Sequence, residues 1–194
     1  MRDDRSELRL RLQHYRERYP QEAHIVQRFC ELLQREPDCF ERDCFSPGHI
    51  TASAWVVDNS HRKTLLTHHR KLDRWLQLGG HTDGSENTLQ SAKREAIEES
   101  GLKSVEACSE HIFDLDIHAI PRRGDEPDHL HFDIRYAFVC TGEQNVIVSE
   151  ESHALAWVDL PDLSSFTSEP SMLRMAAKWD QLREPFPNQS FSRQ

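Results

Sequence analysis

The chain has no apolar run approaching membrane-spanning length, and its opening, MRDDRSELRLRLQHYRERYP, is too charged for a secretory signal. It also lacks an excess of positive charge. With 24 Lys and Arg against 33 Asp and Glu, the formal net charge is −9, so few counterions would be released on a nucleic-acid backbone, and no nucleic acid is expected as the main partner. Small anions bound by local basic clusters stay open. Paired cysteines are missing too: 5 cysteines, an odd number without a CxxC, fit reduced thiols rather than a disulfide framework. Cys39 and Cys44 lie near His49, but the second pair a zinc site would want is absent. These absences lead to the expectation of a cytoplasmic protein with no membrane partner.

What is present suits one sizeable core with an appendage, since 194 residues can bury a single large domain and leave some over. Residues 5–36 read as two helices. Leu8, Leu12 and Tyr15 share one face of the first, Tyr19-Pro20 breaks it, and Ile25, Val26, Phe29, Leu32 and Leu33 line the second. Such helices cover a sheet face, contact a second copy of the chain in a homodimer, or reach a substrate pocket, and the first two are the simpler roles. Residues 1–47 are therefore set apart as a helical extension, 48–183 as the main domain, and 184–194 as a polar, fraying tail.

In the main domain, His49–Asp58 and Lys63–His69 read as a hairpin turning at Asp58-Asn59, with a basic stretch from His61 to Lys71. Val105–Ile120 and His129–Thr141 read as two strands joined by the polar loop PRRGDEPD, Val146–Val148 as a short strand and Ala154–Leu160 as another. Alternation puts Asp114, Asp116 and His118 on one face of the first long strand and His129, His131, Asp133 and Arg135 on one face of the second. These polar faces either meet across the hairpin as metal or phosphate partners, or form a wet outer surface. Residues 168–182 read as a last helix with Met172, Met175, Ala176 and Trp179 on its apolar side. Trp55 and Tyr136 read as core residues before base-stacking ones.

The stretch Gly80–Leu102, GHTDGSENTLQSAKREAIEESGL, is the centre of the chain. A polar loop leads into a helix with Thr88 as N-cap, Leu89, Ala92 and Ala96 form its buried stripe, and Gly101 suits the left-handed position that ends it. Glu95, Glu98 and Glu99 project from neighbouring helical positions. Like charges so close repel, and a hard divalent cation that prefers carboxylate oxygens would relieve them. A merely solvated acidic helix, with Arg94 easing the repulsion, explains neither Gly80, Glu86 nor Gly101 at their spacings.

With Gly80, Glu86 and the run Arg94-Glu95-Ala96-Ile97-Glu98-Glu99-Ser100-Gly101-Leu102, the stretch resembles the Nudix box, G-x5-E-x7-R-E-U-x-E-E-x-G-U, with Ala96 in place of a bulkier first aliphatic. The resemblance implies an α/β fold, a Nudix-type α/β/α sandwich with a mixed sheet. It implies hydrolysis of a diphosphate, usually in a nucleoside diphosphate linked to another moiety, so that the partner is a small-molecule diphosphate. Mg²⁺, or Mn²⁺, would be held by Glu95, Glu98 and Glu99 with the Gly80 carbonyl. Glu86 and Arg94 would form an internal ion pair, structural like Gly101. Glu99, Glu98, or a later loop glutamate, Glu150 or Glu151, would handle the attacking water. Arg122 and Arg123 would close on the leaving phosphate, and His118, His129, His131, Asp133 and Arg135 are further substrate-binding candidates. Two alternatives keep the fold: an enzyme similar to isopentenyl-diphosphate isomerase, disfavoured because WLQLGGH holds no cysteine before the box, and a ligand-sensing module, disfavoured because every metal-binding glutamate is present.

Overall fold

The computed structural model describes residues 4–183, so the tail expected at 184–194 lies outside the described residues. Its organising strand is β1 (Gly48–Val57), all of whose residues are buried. A strand buried on both faces needs a helical layer on each side. β1 pairs in parallel with β7 (His129–Cys140) along its whole length, and antiparallel with β4 (Leu78–His81) from Thr51 to Ala54. Beyond β4 it meets β2 (Lys63–His69) at Val57, and β2 in turn carries β3 (Arg74–Leu76) and β8 (Ser152–Asp159). β5 (Val105–Ala107) and β6 (Asp114–Ile120) both pair antiparallel with the far side of β7. The expected mixed sheet between helices is present.

Alternation along β1 divides two cores. Ile50, Ala52, Ala54 and Val56 face α3 (Thr88–Ser100) together with α1 (Asp4–Arg18) and α2 (Ala23–Arg35). Trp55 and Val57 face the other way, toward α4 (Leu163–Phe166) and Met172, Met175 and Trp179 of α5 (Pro170–Arg183). The N-terminal helices thus cover the sheet beside α3: Leu8, Leu12, Tyr15, Val26, Phe29, Leu32 and Leu33 are buried in the same core, with Phe29 edge-on to Phe132. Trp55 and Tyr136 are fully buried, as core residues.

Three local expectations need correction. The span 105–120 is two strands rather than one, because six residues, 108–113, stand opposite only Tyr136 and Ala137 of β7, and the surplus tucks Ile112 and Phe113 into the core. Residues 146–148 form no strand; Ile147 donates one backbone hydrogen bond to Ser100 and leaves its side chain exposed. The cap of α3 is Asn87, whose side chain accepts from the Gln90 N–H, one position before Thr88. Thr88 instead bonds the buried Tyr136 hydroxyl at 2.8 Å. At the other end Gly101 takes φ +69°, the left-handed value that favours glycine.

Candidate active site

Because Leu89, Ala92 and Ala96 press α3 onto the sheet, its Glu95 and Glu99 run along the backbone of β4. The approach is close: a Cβ on Gly80 would fall 2.7 Å from the Glu95 carboxylate, which would have to move aside. Gly79 donates its N–H to Glu99 at 3.1 Å. Burial raises both carboxyl pKa values, Glu99 to about 8, although the Gly79 N–H opposes the shift; Arg94 restrains the rise at Glu95. A buried and a partly buried carboxylate set against the β4 backbone offer oxygen donors suited to a hard divalent ion. The residues therefore fit the Mg²⁺ or Mn²⁺ that the box implies.

The set is not gathered in advance. Glu98 is turned outward, its side chain 58 % exposed, and bonds Arg94 at 2.9 Å, so the three box carboxylates do not converge on one point among the described residues. Arg94 lies 2.8 Å from Glu95 and 3.5 Å from Asp83, and donates to the His81 carbonyl. It is the cation that holds these charges. This corrects the expected pairing: Glu86 bonds Arg5 of α1 at 3.1 Å instead of Arg94. The bracing of the loop therefore comes from the N-terminal helix, which no spacing within the box could reveal.

Of the two later glutamates, Glu151 is the one whose charge reaches Glu99 and pushes its pKa further up. Both contribute main-chain carbonyls to Arg70, which accept from its side chain at Glu150 and its backbone at Glu151, so part of the basic stretch fixes this loop. Arg123 donates to the Lys71 carbonyl at 3.3 Å and, with Lys71, lowers the His69 pKa behind the larger effect of burial. The structure thus brings Arg123, Lys71, His69 and Glu151 toward one rim. Arg122 is exposed and is not part of that arrangement.

The polar faces of β6 and β7 do meet: Asp114 is opposite Arg135, Asp116 opposite Asp133 and His118 opposite His131. They are not a wet surface, because Asp114, Asp133 and Arg135 are nearly wholly buried. Two substrate-binding candidates are corrected here. Arg135 uses its guanidinium on Asp133, Asp114 and Asp116 at 2.7–3.3 Å. Asp133 accepts from Thr51, Ser53, Gln77 and Arg135. Arg174 and Lys178 of α5 complete the network on Asp114, and Lys178 continues to Glu22 and the Tyr15 hydroxyl. Paired and buried, these groups tie both helical layers to the sheet edge.

The histidines lie further along the same face. His129 and His131 gather with His49 and His81, and His118 joins through His131 and its bond to Asp116. The sequence points to His49 only as a neighbour of Cys39 and Cys44 and not at all to His81; alternation in β1 and the Gly80-His81 step are the available signals. Cys39 is buried in the core and Cys44 gives its carbonyl to His49, so neither thiol enters a metal grouping among the described residues.

The NUDIX domain family model matches residues 47–179. No curated protein matches the chain. Solved structures do. A C. elegans Ap4A hydrolase binary complex aligns over 71 % of this chain and 98 % of its own at TM-score 0.54 and 16 % identity. A Nudix hydrolase from M. smegmatis, RenU, covers 75 % and 90 % at 0.51 and 19 %. The NUDIX domain of Shewanella oneidensis NrtR, complexed with ADP ribose, covers 79 % and 97 % at 0.51 and 16 %. At these identities the likeness is one of fold, and the family rests on the domain match together with the box: the chain belongs to the Nudix family.

Proposed function

We propose that this protein is a divalent-metal-dependent pyrophosphohydrolase that cleaves the diphosphate of a nucleoside diphosphate linked to another moiety. The observation that carries the reading is the pair of carboxylates, buried Glu99 and partly buried Glu95, held against the Gly79-Gly80 backbone with pKa values above the usual range. Glu95, Glu99 and the Gly80 carbonyl would hold Mg²⁺, with Glu98 swinging in from Arg94. Bound there, the ion would supply Lewis-acid polarisation of a phosphoryl oxygen. Glu151, whose charge reaches Glu99, is the best placed group to accept a proton from the attacking water. Arg123 and Lys71 on the same rim would offset charge on the leaving phosphate.

Ap4A and ADP ribose, the compounds named for two structures of like fold, are nucleotides with a polyphosphate or diphosphate link and define where to look first. The test is a panel of such compounds with Mg²⁺ or Mn²⁺ and identification of the products. Release of two phosphate-bearing fragments, abolished in Glu98→Gln and Glu99→Gln, is the expected result. Rearranged product without cleavage would point to an isomerase, and tight binding without turnover to a sensor.

A further inference from the structure

Five histidines meet on the sheet face where β4, β1, β7 and β6 run side by side, and three of them, His49, His129 and His131, each place a ring nitrogen within 4.8 Å of the other two. On a tetrahedral ion with bonds of about 2.0 Å the ligand nitrogens stand roughly 3.3 Å apart, so small ring rotations close the set. Two of the three are already oriented by the main chain. His49 Nδ1 lies 3.2 Å from the Cys44 carbonyl and His129 Nδ1 2.9 Å from the Pro127 carbonyl. A proton on Nδ1, donated to a carbonyl, leaves Nε2 with a free lone pair, which is the way metal-ligating histidines are commonly held.

That lone pair has no use within the protein. His49 is 1 % exposed, and its Nε2 is buried without a hydrogen-bond partner. An unpaired buried polar atom costs about 1–3 kcal/mol. An unused imidazole lone pair suits a metal ion and is a poor match for a phosphate, which needs donors of positive charge. His129 also lines a cavity of about 490 Å³ between Phe45, Pro47, Ile120 and Asp128, which gives an approach from outside.

We propose that His49, His129 and His131 form a second metal site, separate from the box carboxylates, for a borderline transition ion of the zinc class. Imidazole nitrogen selects such ions over Mg²⁺, and three protein ligands leave a fourth position for water or an anionic group. The site stands whether or not the carboxylates catalyse hydrolysis.

Co²⁺ titration of the full chain, followed by visible absorption and competed with Zn²⁺, tests it. One equivalent of Co²⁺ should give the absorption of a low-coordinate nitrogen site. The signal should persist in Glu99→Gln, and affinity should fall at least tenfold in His129→Gln and His131→Gln. His49→Ala removes a buried ring that the core needs, so the wild-type chain supplies the second measurement: on adding Zn²⁺, ¹⁵N resonances of the His49 and His129 Nε2 atoms should shift while their Nδ1 atoms stay protonated. Absence of the Co²⁺ spectrum, a spectrum unchanged in both histidine variants, one lost only in Glu99→Gln, or unmoved Nε2 resonances would each overturn the assignment.

Discussion

Replacing Glu99 by Gln should make the metal-free protein more stable and remove its response to magnesium. The folded chain raises the Glu99 pKa from 4.5 to about 8, chiefly by burial. A carboxyl with a folded pKa above its unfolded one is protonated more readily in the native state, so stability falls as pH rises from about 4.5 through about 8, and the full penalty is present above that. At about 1.4 kcal/mol per unit the penalty has an upper bound of about 5 kcal/mol, and relaxation around the charge should leave about 1–3. Gln carries no charge, and its amide oxygen can still accept from Gly79. At about 2–4 °C per kcal/mol for a domain of this size, the variant should melt several degrees above wild type at pH 9 in chelator, with the gap shrinking toward pH 5. Mg²⁺ should raise the wild-type Tm at pH 9 and leave the variant nearly unmoved. Melting curves at both pH values with chelator or Mg²⁺ decide it. A variant that melts at or below wild type at pH 9 without metal, or that gains as much from Mg²⁺, would refute the reasoning.

Gly80→Ala would set a methyl 2.7 Å from the Glu95 carboxylate; the flexible side chain should yield, preserving the fold but lowering Mn²⁺ affinity at least tenfold in a direct titration. Glu151→Gln should reduce kcat by about 10²-fold or more with Tm unchanged, as general-base loss does. Glu86→Gln breaks only a half-exposed ion pair to Arg5, so urea unfolding should show a loss of about 0–1 kcal/mol and turnover should stay near wild type. Arg135→Met leaves buried Asp133 without its cation and removes one from Asp114 and Asp116; a loss of about 3–5 kcal/mol is expected in the same assay.

The fold was legible wherever a local pattern carried it. The box spacing, the Gly101 stop and the buried stripe Leu89, Ala92 and Ala96 all appear in α3 as read from the chain, and alternation grouped the polar residues of β6 and β7 on one face of each strand, as found. What could not be read was what those faces meet. Whether Asp133 and Arg135 face solvent, a ligand or each other depends on α5, more than thirty residues later, whose Arg174 and Lys178 close over Asp114. The resemblance implied a pairing of Glu86 with Arg94, yet α1 delivers Arg5 to Glu86 from far upstream. Nor does any local spacing join His49 and His81 to His129 and His131. A cluster assembled from four strands has no spacing in sequence, only a register in space.

The most direct test of the active-site account is an anomalous difference map at the manganese edge from crystals of the protein grown or soaked with Mn²⁺. The account predicts a peak between the Glu95 and Glu99 carboxylates and the carbonyl of Gly80, with Glu98 drawn away from Arg94. A map with no manganese there, or with manganese only among the histidines of β1 and β7, would contradict it.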